Sequence, residues 1–222
     1  MENSLHFAAG ELPLPIYIHL LAFFLFGLTG GLAAVKRHYD FIGLFAMAFA
    51  TAAGGGLIRD GLFIQNGPAL ITQKSGYIAV IGISAVAAVL FRDKILYFDR
   101  PIAWIDALCI GVYGIVGVQK ALIANLSEAS AIMIGVISAA GGGLLRDLLT
   151  GEEPLMLKPG QFYMLAVLAG CCVYLAGLHF EETRNYAAYM GIAVTFVIRV
   201  LAIQFNWSTA PVSRFGPASK GD

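Results

Sequence analysis

The chain has 222 residues, of which 59% are apolar and only 13% are charged, with 14 basic residues against 14 acidic ones. A soluble domain carries about a quarter charged residues, so a water-facing surface built from this chain would hold large apolar patches. The composition excludes a soluble globular protein, a disordered chain and a basic nucleic-acid binder, and it indicates a membrane protein in contact with lipid.

Seven stretches are long and apolar enough to cross a bilayer as helices, which need about 20 residues each. Their runs are continuous rather than alternating, which favours helices over strands. Asp106 and Arg199 are the internal charges of the fourth and seventh stretches. The sequence predicts an all-α polytopic membrane protein with transmembrane segments at residues 13–35, 41–58, 75–91, 101–119, 129–145, 159–180 and 185–207.

The basic residues of the loops predict how the chain is oriented. The loops after the first, third and fifth segments, together with the tail at 208–222, hold eight of them. The loops on the opposite side hold three, namely Lys74, Lys120 and Arg184. Basic residues concentrate on the cytoplasmic side. We therefore expect a multi-pass protein of the inner (plasma) membrane, with its N-terminus outside and its C-terminus cytoplasmic.

An internal repeat divides the chain. Residues 51–60 recur as residues 138–147, with eight of ten positions identical. Upstream, Gly27, Gly30 and Lys36 recur as Gly111, Gly114 and Lys120, with the same spacing between them. The repeat predicts three-helix units at 12–98 and 99–178, followed by a seventh helix at 184–207. Because three is odd, the second unit is inverted, and inverted repeats place an ion or substrate site near the membrane midplane.

Each repeat contains a glycine triplet inside an apolar segment. Three glycines in a row weaken a helix by about 1 kcal/mol each relative to alanine, so we expect the second and fifth segments to kink or unwind there. Exposed carbonyls must then face a cavity rather than lipid. The alternative is that small residues let two helices approach closely. The candidate pore and kink residues are Thr51, Gly54, Gly55, Gly56, Ser138, Gly141, Gly142 and Gly143.

An Arg-Asp pair follows each triplet. A charge at this depth costs at least about 2.5 kcal/mol, so it should face protein or water, unless the arginines snorkel to the headgroups. Adjacent helical residues point about 100° apart, so we expect each arginine to pair with a group other than the next aspartate. The candidate gating or pore-mouth charges are Arg59, Asp60, Arg146, Asp147, Lys36, Lys120, Asp106 and Arg199.

Several of these positions have a simpler interpretation beside the functional one. Lys36 and Lys120 end their segments, where cations suit the helix dipole. Asp106 has no acidic counterpart in the first repeat, where Ala22 takes its place, and we expect Arg199 to tie the seventh helix to Asp106 or another carboxylate. His19, Tyr113 and Gln119 are polar candidates for the wall of a path, although such residues more often stabilise a helix bundle.

Motifs of catalysis are missing from the sequence. It has no HExxH, no nucleophile elbow and no phosphate loop after a strand, and its glycine triplets sit in apolar helices rather than in a dinucleotide-binding turn. We therefore expect neither an enzyme nor a resident metal or cofactor.

The doubled motif, in a chain of seven apolar segments, resembles the bacterial trimeric intracellular cation (TRIC) channels, whose relatives are also associated with glycine transport. The resemblance spans about residues 12–206. It implies a homotrimer with one pore per subunit, bordered by the second and fifth helices where they kink at the glycine triplets. It also implies passive conduction of monovalent cations, chiefly K⁺. The Lys-Glu-Val lipid-binding segment of animal members is replaced here by Leu57-Ile58-Arg59-Asp60, so phosphoinositide control does not transfer.

Two functions fit these features. The first is a K⁺-permeable channel whose path lies between the second and fifth helices, with membrane lipid and monovalent cations as its partners. The second is a secondary transporter of a small zwitterion such as glycine, because inverted repeats with broken helices also suit alternating access. In that case an arginine would hold the substrate carboxylate, and an aspartate or a carbonyl end of a half-helix would hold the amine.

Overall fold

The fold is a bundle of apolar helices. In a computed structural model, the structure describes residues 14–65, 69–73, 75–95, 99–157 and 162–207. Regular structure within these ranges is helical throughout: α1 (Ile16–Lys36), α2 (Phe41–Ile58) continued by a π-helix (Arg59–Ile64), α3 (Leu70–Gln73), α4 (Ser75–Ile95), α5 (Asp99–Ile123), α6 (Glu128–Thr150), α7 (Tyr163–Leu178), α8 (Glu181–Arg184) and α9 (Ala187–Gln204).

The predicted polytopic helical fold is confirmed. Six of the described helices are long and apolar enough to cross a membrane, and α7 is a shorter apolar helix of 16 residues. The seven predicted segments correspond to α1, α2, α4, α5, α6, α7 and α9. The predicted tail at 208–222 and the loop residues Lys74, Lys158, Arg214 and Lys220 lie outside the described residues.

Two helices run further than predicted, because they continue through their Arg-Asp pairs. The fifth segment was expected to end at residue 145, but α6 extends to Thr150. The second ends as an α-helix at Ile58, as predicted, and then continues as a π-helix to Ile64. A hydropathy pattern ends a predicted helix at a charged residue. In the folded protein the helix continues through such a residue when its charge is buried and paired.

Contacts between the helices give their relative directions. Gly27 of α1 lies against Ala52 of α2, and Gly31 lies against Leu44, so α1 and α2 are antiparallel. Gly114 and Gly117 of α5 meet α6 in the same antiparallel sense. We call the end of the bundle where α1 begins the N face and the end where α1 finishes the C face. α2 therefore runs toward the N face and α6 toward the C face.

Side chains cap α2 and α6 at equivalent positions of the repeat. The carboxylate of Asp40 accepts a hydrogen bond from the Gly43 amide at 2.7 Å, which begins α2. The hydroxyl of Ser127 accepts one from the Ser130 amide at 3.3 Å, which begins α6. Both residue types are favoured N-caps because their oxygens satisfy amides that a helix leaves free. These caps anchor the starts of the two helices at opposite faces.

The glycine triplets lie where α2 and α6 cross in backbone contact. A Cβ atom on Gly55 would collide with the backbone of Ser138, and one on Gly142 would collide with the backbone of Thr51. The backbone stays α-helical through both triplets, so of the two predicted outcomes unwinding is wrong, while a kink at the triplets stays a prediction. Close packing against the partner helix offsets the low helix propensity of glycine.

Candidate functional site

Two cavities enter the bundle from opposite faces, and each reaches one of the Arg-Asp pairs. The N-face cavity has an empty volume of about 410 Å³. Its walls come from α1, α2, the π-helix, α5 and the stretch around α3, which contribute His19, Ala22, Phe23, Ala53, Gly56, Leu57, Arg59, Asp60, Ala69, Ile71, Val112, Tyr113 and Val116.

Arg59, Asp60 and Lys120 form a compact ionic cluster at the N-face cavity. Arg59 donates from Nε to Asp60 Oδ1 at 2.6 Å and from Nη2 to Oδ2 at 3.0 Å. Lys120 Nζ of α5 donates to the same Oδ2 at 3.0 Å. The side chains of Arg59 and Asp60 are only 3% and 6% exposed. Among the described residues, two cations thus share the Asp60 carboxylate in a place shielded from water.

The C-face cavity is larger, with an empty volume of about 960 Å³. It lies among α1, α5, α6, α9 and the loop that follows α6. Four acidic and four basic residues are among those that line it: Thr29, Leu32, Ala33, Lys36, Arg37, Ile102, Ala103, Asp106, Arg146, Asp147, Thr150, Glu152, Glu153, Leu155 and Arg199.

Arg146 joins two aspartates at the C-face cavity. Its Nε donates to Asp147 Oδ1 at 3.0 Å, and its Nη1 donates to Asp106 Oδ1 at 3.5 Å. The other carboxylate oxygen of Asp147 accepts from the Leu155 amide at 3.0 Å. Asp147 therefore holds the loop after α6 against the cavity, while Asp106 links α5 to α6.

The expectation that each arginine avoids the next aspartate is wrong for Arg59, and it is only half right for Arg146, which bonds both Asp147 and Asp106. The reason lies in the arginine side chain. Its aliphatic chain is long enough to reach the side chain of the next residue, although the two point in different directions. Its planar guanidinium group can then donate two hydrogen bonds to a carboxylate. In a site shielded from water, an unpaired charge is costly, so the nearest carboxylate is used.

Arg199 contacts an aromatic ring, and its predicted pairing with a carboxylate stays a prediction. Its guanidinium carbon lies 4.8 Å from the centroid of the Tyr163 ring, a cation–π geometry. It is 1% exposed and lines the C-face cavity together with Asp106. The charge thus ties α9 to the start of α7 at the edge of that cavity.

The two cavities are separated by buried side chains at the α2–α6 crossing. Arg59 Nη1 donates across the crossing to the Ser138 hydroxyl at 3.3 Å. Thr51 donates to the Met47 carbonyl of its own helix at 2.8 Å, and Tyr113 donates to the Ala52 carbonyl at 2.5 Å. Thr51 and Ser138 are fully buried. Buried and hydrogen-bonded side chains thus fill the crossing, which lies between the two Arg-Asp pairs.

Other predicted wall residues divide between the cavities and the packed bundle. His19 and Tyr113 line the N-face cavity, and Lys36, the last residue of α1, lines the C-face cavity. Gln119 is 1% exposed and lies among neither set of lining residues.

Sequence reasoning missed Thr29, Tyr163 and the acidic pair Glu152-Glu153. The two glutamates follow the second triplet motif closely, which was the available signal. The roles of Thr29 and Tyr163 depend on which helix each one faces, and no local pattern carries that information.

A family model described as Glycine transporter matches the chain twice, over residues 16–93 and 103–179. Similar proteins include the UPF0126 inner membrane protein YadS of Escherichia coli, 31% identical over 183 residues, which cover 82% of this chain and 87% of that protein. The UPF0126 membrane protein SCO4104 of Streptomyces coelicolor is 33% identical over 211 residues, covering 94% and 96%. These relatives place the chain among multi-pass membrane proteins.

Solved structures agree with these sequence relationships. The TRIC trimeric intracellular cation channel orthologue from Rhodobacter sphaeroides has a TM-score of 0.80 and 29% identity, over 86% of this chain and 97% of that one. A second TRIC cation channel, solved to explain conductance, has a TM-score of 0.78 and 25% identity, over 88% and 96%. This chain therefore belongs to the TRIC family of membrane proteins, which the glycine-transporter model also describes.

Proposed function

We propose that this protein is a monovalent-cation channel, permeable to K⁺, with a pore inside each subunit of a homotrimer. The observation that carries the proposal is the pair of cavities that enter from opposite faces and reach repeat-related Arg-Asp pairs. The likeness to solved TRIC cation channels supports the same function. In this proposal the pore lies between α2 and α6, bordered by both glycine triplets.

The α2–α6 crossing is the proposed gate. Opening would require the triplets, which are in backbone contact, to separate and Arg59 to leave the Ser138 hydroxyl. A buried cation beside the path repels a permeant cation unless an acid neutralises it. The bonds from Arg59 and Lys120 to Asp60 would therefore set part of the barrier.

We also infer that the N face is external and the C-terminus cytoplasmic, with inverted units at 12–98 and 99–178 and a seventh helix at 184–207. The twofold match of the family model supports the duplication, and so do the reciprocal contacts of Gly55 with Ser138 and Gly142 with Thr51. A fluorescent protein fused to the C-terminus should fold and emit, while alkaline phosphatase there should stay inactive. An active phosphatase would overturn this orientation.

Recording from purified protein in planar bilayers tests the channel. We expect unitary currents carried by K⁺, with a reversal potential that follows the cation gradient. Liposomes from the same preparation should give a flux of K⁺ or Na⁺, and empty liposomes are the control. Protein that carries no unitary cation current but performs saturable counterflow of labelled glycine would contradict the channel and support a transporter instead. Cross-linking within the liposomes should stop at three chains.

A further inference from the structure

His19 is a buried imidazole that faces the N-face cavity. It lies in the first turn of α1, is 4% exposed and lines the cavity with Arg59 and Asp60. Among the described residues, its Nε2 atom has no hydrogen-bond partner. Leaving a buried polar atom unpaired costs about 1–3 kcal/mol. Nε2 is therefore a buried nitrogen, at the edge of the cavity, whose proton-binding position is not taken by any side chain that the structure describes.

The charged groups around this cavity leave little to balance a further positive charge. The π-helix contributes Arg59 and Asp60, and α5 contributes Lys120, which bonds Asp60. Both oxygens of the Asp60 carboxylate already accept hydrogen bonds from these two cations. Among the described residues, the other titratable neighbours are Tyr113 of α5, which lines the cavity, and Tyr77 of α4, which packs on Phe23.

The two cavities differ at this position. The spacing that pairs Lys36 with Lys120 in the repeat also pairs His19 with Ala103. Ala103 lines the C-face cavity, and its methyl side chain stands where the N-face cavity has the imidazole. A proton that enters from the N face therefore meets a basic nitrogen that has no counterpart on the other side.

We propose that His19 is a proton-binding site in the N-face cavity and that its protonation reduces cation passage. This inference rests on the proposed channel function. A proton on His19 would add a positive charge beside Arg59 and Lys120, which among the described residues already share the Asp60 carboxylate. In a site of low dielectric constant, that added charge raises the barrier for a permeant cation.

One-sided acidification of a planar bilayer tests the proposal. The pH of one chamber is lowered from about 8 to about 4, a range that brackets the usual imidazole titration near 6.5. Acid on the N face should lower the wild-type K⁺ current several-fold, and acid on the C face, which reaches carboxylates but no imidazole among the lining residues of that cavity, should lower it less. An equal response from both faces, or none, would overturn the proposal without the need for any variant.

Two substitutions then assign the response to a residue. His19→Gln should keep the current nearly constant across the same range, because the amide does not bind a proton there. His179→Gln is the matched control, since His179 also lies at the N face but is 46% exposed, with its Nε2 3.2 Å from Glu128. This variant should retain the wild-type response. An acid response that persists in His19→Gln would refute the assignment.

A second measurement separates the proton site from conduction. Histidine labelled with nitrogen-15 in the detergent-solubilised protein reports each imidazole, and the His19 resonance is the one lost in His19→Gln. Titration of that resonance within the same range supports the site, and an unchanging resonance overturns it. A protein without current at any pH would overturn the channel, while the resonance would still test the proton site.

Discussion

At the scale of single residues, two of the buried carboxylates each accept hydrogen bonds from more than one donor. Asp60 accepts from Arg59 and from Lys120, and Asp147 accepts from Arg146 and from the Leu155 amide. Removing one member of such a group costs more than one hydrogen bond, because the remaining charges stay buried without compensation.

Asp60→Asn should destabilise the protein strongly, because it leaves Arg59 and Lys120 close together without their carboxylate. Breaking a buried ion pair in this way costs about 3–5 kcal/mol. The midpoint of thermal unfolding in detergent measures the effect. The control is Asp40→Asn at the exposed start of α2, where asparagine also caps a helix. Similar midpoints for the two variants would show that the cluster contributes little.

At the scale of helices, the glycine triplets allow the backbones of α2 and α6 to touch where the two helices cross. Gly55 and Gly142 occupy equivalent places in the repeat, and each lies against the backbone of the opposite helix. The third glycine of the first triplet has more room. A Cβ on Gly56 would meet only Arg59 Nη2, at 3.6 Å. Glycines within one triplet therefore differ in whether a larger side chain fits at their position.

Gly55→Ala should lower stability, because its methyl group would force α2 away from the Ser138 backbone. Overpacking of this kind costs about 1–3 kcal/mol. Gly56→Ala is the matched control, and its gain in helix propensity, about 1 kcal/mol, should leave it neutral or more stable. Thermal unfolding of both variants in the same detergent gives the comparison. A loss of stability in Gly56→Ala equal to that in Gly55→Ala would contradict this account of the crossing.

At the scale of the whole molecule, the two cavities share an Arg-Asp pair but differ in charge balance. Of the described residues, the N-face cluster holds two cations and one carboxylate. Asp106 adds a second carboxylate beside Arg146 at the C face, whereas its repeat counterpart Ala22 lines the N-face cavity. We therefore expect the N-face cavity to present the higher barrier to a cation.

Ala22→Asp should raise the unitary K⁺ current, because an acid beside Arg59 would balance the extra positive charge of the N-face cavity. The increase should be largest at low ionic strength and shrink as salt screens the charges. Ala22→Asn, which adds similar bulk without charge, is the control. Planar-bilayer recording at several salt concentrations checks the prediction. A larger current from both variants would trace the change to shape rather than charge.

Much of the fold could be predicted because hydropathy and spacing are local properties. The apolar runs identified α1, α2, α4, α5, α6, α7 and α9, and the repeated motif marked both Arg-Asp pairs. The end of α6 was set too early and the π-helix that continues α2 was not predicted, since a charge interrupts a hydropathy plot even when a partner neutralises it. The candidate site residues were therefore named without the partners that explain them.

The sequence by itself determined that the protein lies in membrane lipid, how many apolar helices it has and that its motif is duplicated, since these follow from composition and periodicity. Only the tertiary structure decided that the triplets stay helical and that Arg59 pairs with its own neighbour. It also decided that His19 faces a cavity while Gln119 does not. The physical reason is that partner choice and burial depend on distances between helices, which no single stretch of sequence contains. The scarce charges identified a membrane protein, and their pairing across the bundle produced two unlike cavities.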